Sequence, residues 1–455
     1  MARSSGAESG TLNDTTDNVA LPPPTVMEVF RTWLPLAASW AVMGMELPLV
    51  SAIMARQLDP ELHLAAYGGV VFPVALIVEA PVIMLLAASV ALARDPASYR
   101  LIYRFMMIIS AFLTVLHALL AFTPLFDLVL VPLFDPPAGV IEPARLGLKI
   151  MLPWTWAIGY RRFQQGLLIR FNRSHHVSIG TFLRLVAVAV VAVLAAFVFG
   201  APGIVTATAA IAVGVTVEAA YSGWAVRPVL LGPLQRGAKV VPPLTLSVFL
   251  AFFTPLVLTS FLSLMIQPIG SAAMARMPGA LESLAVWPVA SGVLFILRAL
   301  GFALNEVVVA LLDRPGAYKA LRRFTLLLTG ALLAVTGVVA FTPLARIWFA
   351  DISGLSPELT ALAVLGFAWA VAWPSLDALR NLVQGVAVFT RRTGAISWSM
   401  VVFLVVTAVV LGAGVVSQRF PALPVAMVAF VVSTAAQVAW LRYAVRREVA
   451  ELAAA

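Results

Sequence analysis

Twelve apolar stretches, each long enough for the roughly 20 residues that an α-helix needs to cross a bilayer, fill almost the whole chain. They run over 29–55, 64–93, 101–123, 145–169, 177–199, 201–226, 244–275, 283–312, 321–342, 357–389, 395–417 and 421–445. In hydrocarbon such stretches satisfy their backbone polar groups only as helices, so the expected fold is an all-α polytopic bundle. Only 11% of the 455 residues are charged and 62% are hydrophobic, with a mean hydropathy of +0.99. Soluble domains carry about 25% charge, so a cytosolic enzyme, a disordered chain and a collagen are excluded. The absence of cysteine removes disulfides, zinc–thiolate sites and thiol nucleophiles. Prolines at 35, 48, 73, 81, 255, 268, 288 and 374 mark candidate kinks.

The polar segment 1–27 reads as a disordered tail, and the first span begins too far in for a cleaved signal peptide. Residues 28–226 and 244–446 form two lobes, joined by a basic linker at 227–243, and 447–455 form a terminal tail. An even number of spans puts both termini on one side. That side holds Arg94, Arg100, Arg104, Arg170, Arg173, Arg227, Arg236, Lys239, Arg314, Lys319, Arg322, Arg323, Arg391, Arg392, Arg442, Arg446 and Arg447. The other side holds Arg56, Arg145, Arg276, Arg346 and Arg419. Positive loops stay inside, so both termini are expected in the cytoplasm and the net charge of +9 reflects topology rather than nucleic-acid binding. The implied location is a bacterial inner membrane.

The two lobes are copies. Met45-Glu46-Leu47-Pro48 through Ala55-Arg56 matches Met265-Ile266-Gln267-Pro268 through Ala275-Arg276, 220 residues later. At a spacing of 219, Arg94-Asp95-Pro96 falls on Asp313-Arg314-Pro315, and Ala121-Phe122-Thr123-Pro124-Leu125 recurs as Ala340-Phe341-Thr342-Pro343-Leu344. Trp154, Arg161, Gln165, Gly166 and Arg173 recur as Trp373, Arg380, Gln384, Gly385 and Arg392. Six spans per copy give both copies one orientation, related by an axis along the membrane normal, with a substrate site expected between them near the midplane.

Ionisable residues inside a span cost at least about 2.5–3.5 kcal/mol and mark function. They are Glu46, Glu79, Arg161, Arg162 and Glu218 in the first copy, then Arg298, Glu306, Asp377 and Arg380 in the second. Glu79 and Arg298 hold equivalent positions with opposite charge, and the expectation is an ion pair across the cleft that gates it. Arg298 and Asn305 share a helix face, as do Trp154, Arg161 and Gln165, and again Trp373, Asp377, Arg380 and Gln384. Arg298, Asn305, Arg161, Gln165, Arg380 and Gln384 are therefore candidate substrate contacts. Glu46, Glu79, Asp377 and Glu306 are candidates for ion coupling or gating. His175-His176 has no further ligand at metal spacing, and no phosphate loop, catalytic constellation or cofactor motif appears.

With its twelve spans, parallel lobes and a proline-kinked first helix in each copy (Met45-Glu46-x-Pro48, Met265-x-x-Pro268), the chain resembles the multidrug/oligosaccharidyl-lipid/polysaccharide (MOP) exporter superfamily, which has a MATE-like fold. Pro35-Leu36 leading to Gly44-Met45-Glu46, Leu64-Ala65-Ala66-Tyr67-Gly68 and Gly166-Leu167-Leu168-Ile169-Arg170 are most similar to the progressive ankylosis branch. The resemblance implies a monomeric secondary active exporter whose lobes rock around a cleft lined by spans 1, 2, 7 and 8. It also implies small polyvalent anions such as citrate, pyrophosphate or nucleotides as substrates, with Glu46, Glu79 and Arg298 carried onto the cleft. Leu47, Met265 and Gln267 depart from a strongly basic cleft. The alternatives are a proton- or sodium-coupled organic-cation antiporter and a lipid-linked sugar flippase.

Overall fold

A computed structural model describes residues 22–237 and 241–454, in which every regular element is a helix. The spans are α1 Val26–Met54, α2 Pro60–Leu92 and α3 Pro96–Phe122, then α4 (Ala138–Ile150 and Leu152–Arg170), α5 His175–Val198 and α6 Gly203–Leu231. The second copy contributes α7 Leu246–Met274, α8 Ala280–Leu311, α9 Ala317–Phe341, α10 Pro357–Phe389, α11 Gly394–Ser417 and α12 Ala422–Ala444, and a terminal helix α13, Arg446–Ala454, follows. Eleven of these are long and apolar enough to cross a membrane. The twelfth, α4, is less apolar because Arg161, Arg162, Gln164 and Gln165 sit within it. The fold is thus the all-α bundle of two six-helix lobes.

The expected tail 1–27 falls mostly outside the described residues, and helix has already begun at Val26. Asp95 starts α3 through a capping box, its carboxylate accepting from the Ser98 amide at 2.8 Å while the Ser98 hydroxyl accepts from the Asp95 amide at 3.1 Å. The segment 447–455 is helical through Ala454 and docks by Glu448, which accepts from Arg392 Nε at 2.6 Å. Its own backbone amide, helped by Arg392, holds the Glu448 carboxyl below the usual range.

The first helix of each copy breaks at one residue, Met45 in α1 and Met265 in α7. The cause is the proline three residues on. Pro48 and Pro268 donate no hydrogen bond and crowd the carbonyls four residues back, on Gly44 and Leu264, where the preceding segments end. After the break the two halves of each helix go separate ways. At the end of the bundle that holds the termini, the near end, Val29, Trp33 and Ala37 of α1 bury against Leu304 and Val307 of α8 and Leu321 of α9. Trp33 donates its indole N–H to the Leu300 carbonyl at 2.8 Å, and its ring meets Phe324 at 5.5 Å. The repeat does the same in reverse: Phe249 and Phe253 of α7 pack on Phe105 of α3 at 4.8 and 5.3 Å. Near-end packing thus exchanges the first half-helix of each lobe across the boundaries expected at 28–226 and 244–446.

At the far end the lobes touch directly. A turn of π-helix at Tyr67–Val71 brings Gly68 of α2 so close to α8 that a Cβ there would lie 2.6 Å from Pro288. Ser271 of α7 donates to the Gly68 carbonyl at 3.3 Å. Two arginines matched by the repeat close this end. Arg56 donates to the carbonyls of Asp351 and Ile352 at 2.7 and 2.9 Å, and Arg276 donates to those of Pro132 and Leu133 at 2.8 and 3.2 Å. Each guanidinium thereby ties its own lobe to the loop region of the other. Because the chain has no cysteine, a single Ser271→Cys reports this closure. Its labelling by a membrane-impermeant maleimide is expected to rise several-fold in an Arg56→Ala/Arg276→Ala background; an unchanged rate contradicts the clasp.

Candidate substrate site

The membrane-depth charges gather into two clusters, one in each lobe. In the first lobe Glu218 of α6 is fully buried and accepts from Arg161 at 2.6 Å, Gln165 at 2.9 Å and Thr181 at 3.2 Å. Arg184 of α5 lies 2.9 Å from Glu46 and 3.6 Å from Glu218, and so links α1 to α6. Arg162 completes the set, 3.6 Å from Glu79. Three carboxylates face three guanidiniums. A cavity of about 180 Å³ opens at the break in α1, with Glu46, Arg184, Tyr67 and Phe295 in its wall.

In the second lobe Asp377 of α10 is almost fully buried and accepts from Arg298 of α8. Arg380 lies 3.0 Å from the other carboxylate oxygen. Arg298 stands over the Trp373 ring at 3.9 Å and near Phe302 at 5.4 Å, contacts that hold the guanidinium plane. One carboxylate therefore serves two guanidiniums, whose side chains are 20% and 17% exposed.

The repeat explains the difference. The positions of Ile158, Glu218, Arg184, Glu46, Arg162 and Glu79 in the first lobe are held by Asp377, Gln437, Phe403, Ile266, Asn381 and Arg298 in the second, and the reversal from Glu79 to Arg298 is what leaves the surplus. The counter-charge for the shared arginine (Arg161 or Arg380) has moved from the sixth helix to its own helix, one turn away. In the second lobe Gln437 makes neutral contacts instead, with Ser399 at 3.2 Å and the Met400 sulfur at 3.1 Å.

The gate expected between Glu79 and Arg298 does not form. Glu79 turns to Arg162 and Arg298 to Asp377, because α2 packs on α4 and α8 on α10 inside their own lobes, and each charge finds a partner one helix away. The structure brings Arg298, Asp377 and Arg380 together, and likewise Arg161 and Gln165 around Glu218. Gln384 is half-buried, one turn beyond Arg380. Asn305 has a buried side-chain oxygen with no hydrogen-bond partner. Glu306 is separate from both clusters, exposed and accepting from the Trp40 indole at 3.2 Å. Sequence reasoning missed Arg184, although it is the one charge in the apolar stretch 177–199.

Solved structures share this fold. An inward-facing multidrug resistance MATE family transporter of the MOP superfamily superposes with a TM-score of 0.70 at 15% identity, over 94% of this chain and 99% of that one. The lipid II flippase MurJ, in an inward closed conformation, gives 0.67 at 13% identity, over 93% and 90%. A MOP superfamily transporter from Pyrococcus furiosus, described by a binding pocket of reverse polarity, gives 0.60 at 14% identity, over 95% and 99%. No family model and no curated protein sequence matches the chain. At these identities the likeness is one of fold.

Removing one partner of a buried ion pair strands the other and costs about 3–5 kcal/mol. Glu218→Ala is accordingly expected to lower the melting temperature sharply. The Arg161→Ala/Glu218→Ala double variant should lose at least about 1 kcal/mol less than the two single losses combined. Additive losses contradict the pairing.

Proposed function

We propose that the chain is a secondary active transporter that exports small organic or phosphorylated anions by alternating access of its two lobes. One observation carries this reading: at membrane depth the second-lobe cluster sets two guanidiniums against one carboxylate, whereas the first-lobe cluster balances. A surplus positive charge in a low-dielectric site is satisfied by an anion from solution. Arg298 and Arg380 bind it, with Asn305 and Gln384 as neutral hydrogen-bonding groups along the same faces. Asp377 holds the arginines in place between transport events and gives way to the substrate or to a proton. Arg161 and Gln165, tied to Glu218, act as positioning residues rather than substrate contacts. The resemblance to the progressive ankylosis branch adds citrate, pyrophosphate and nucleotides as the anions to try first.

The cation-antiporter alternative calls for a carboxylate open to a proton or sodium ion. Glu46, Glu79 and Glu218 each already face a guanidinium, which leaves Glu306, accepting from the Trp40 indole at 3.2 Å, as the candidate carboxylate for that reading. A flippase remains the third reading through the likeness to MurJ. The excess of arginine and lysine at the near end supports a cytoplasmic near end in a bacterial inner membrane.

Arg298→Ala leaves Asp377 paired with Arg380, so the variant keeps its fold. In vesicles carrying the purified chain, it is expected to cut citrate or pyrophosphate efflux at least tenfold, with Glu46→Gln the milder change. Efflux of a cationic dye that is lost in Glu46→Gln while Arg298→Ala is silent overturns the anion reading.

A further inference from the structure

At the near end, α9, α10, α12 and α13 enclose a cleft with two connected parts of about 340 and 270 Å³. Its rim is built from Lys319, Arg322, Arg323 and Arg442. Deeper in, the walls turn apolar, with Leu326, Leu382 and Val438, and α13 closes one side with Val449 and Ala453. Among the described residues none of the four cations has a carboxylate within ion-pair distance. Glu448, the acid in the first turn of α13, is taken by Arg392; Asp313 and Glu451 are exposed and make no ion pair.

Depth matters as much as charge. Arg322 lies one to two turns inside the start of α9, and Arg442 less than one turn from the end of α12, so both stand where those spans enter the headgroup layer. One turn deeper, Leu326 and Leu327 are 52% and 60% exposed on the outer face of α9. Cations therefore sit above an apolar wall that opens sideways onto lipid. Basic pockets between membrane helices at this level recognise anionic headgroups.

We propose that this cleft binds one anionic phospholipid of the near-end leaflet, its phosphate between Arg322 and Arg442 and an acyl chain along Leu326 and Val438. A phosphate diester meets four unpaired cations there, while a zwitterionic lipid brings its own ammonium into the same positive field. The bound lipid joins α9, α12 and α13 across the side of α10 that carries Leu379 and Leu382, next in sequence to Arg380 and Asn381. The proposal is independent of which substrate the chain carries.

The test is thermal unfolding of the purified full chain in neutral detergent with dioleoyl phosphatidylglycerol, dioleoyl phosphatidylcholine or inorganic phosphate. A ligand that binds only the folded state raises the melting temperature by mass action. Phosphatidylglycerol is expected to raise it by several degrees and the other two to leave it in place. Arg322→Gln/Arg442→Gln should lose most of that rise, while Arg100→Gln/Arg104→Gln, which removes exposed near-end cations of α3, should keep it. An equal rise with phosphatidylcholine, or with phosphate alone, overturns the proposal, as does a full rise in the Arg322/Arg442 variant. If that variant does not fold, a photoreactive phosphatidylglycerol on the unmodified chain decides. Crosslinks at Leu326 or Val438 support the site, and crosslinks spread evenly around the helix belt contradict it.

Discussion

A charge held in hydrocarbon must find its counter-charge within the protein, and this requirement organises the interior of both lobes. In the first lobe it draws α1, α2, α4, α5 and α6 together through Glu46, Glu79, Glu218 and their three arginines. In the second lobe the same helix positions are largely apolar or amide-bearing, and the requirement contracts to Arg298, Asp377 and Arg380. Duplication supplied two frames of the same plan. Differences at matched positions, Glu79 against Arg298 and Glu218 against Gln437 among them, leave one neutral and the other short of a negative charge. A frame with balanced charge suits a structural role, and one with a surplus suits a ligand.

The lobes are joined by devices that also obey the repeat. Near the termini, aromatic residues of α1 and α7 cross to the opposite lobe, with Trp33 on Phe324 and Phe253 on Phe105. At the far end Arg56 and Arg276 reach the opposite lobe's backbone carbonyls. The breaks at Met45 and Met265 lie between these two sets of contacts. Each first helix is thus jointed where one half must follow one lobe and the other half its partner. The proline that breaks it is written into both copies.

Much of this was legible in the sequence because it depends on length and period alone. Apolar stretches gave the spans, and the matched segments gave the duplication, including α4, whose own apolarity is marginal. The pairing of Asp377 with Arg380 was readable as well, since both lie on one helix three residues apart. What the sequence hides is which helix stands next to which. Glu79 and Arg298 matched by position and charge, yet each turned to a neighbour in its own lobe. A helical face fixes a direction on its own helix, and only packing decides what lies opposite. Arg184 is a different case: its signal was present, a lone arginine inside an apolar stretch, and only its partners Glu46 and Glu218 needed the fold to be seen.

An anion is proposed to bind at the surplus charge of the second lobe. An electron cryomicroscopy map of the full chain with saturating citrate tests it most directly. Bound citrate is expected as density against Arg298 and Arg380, with the Asp377 carboxylate displaced from at least one of them. Density at the Glu46–Arg184 pair, or Asp377 still holding both arginines with the cleft empty, would contradict it.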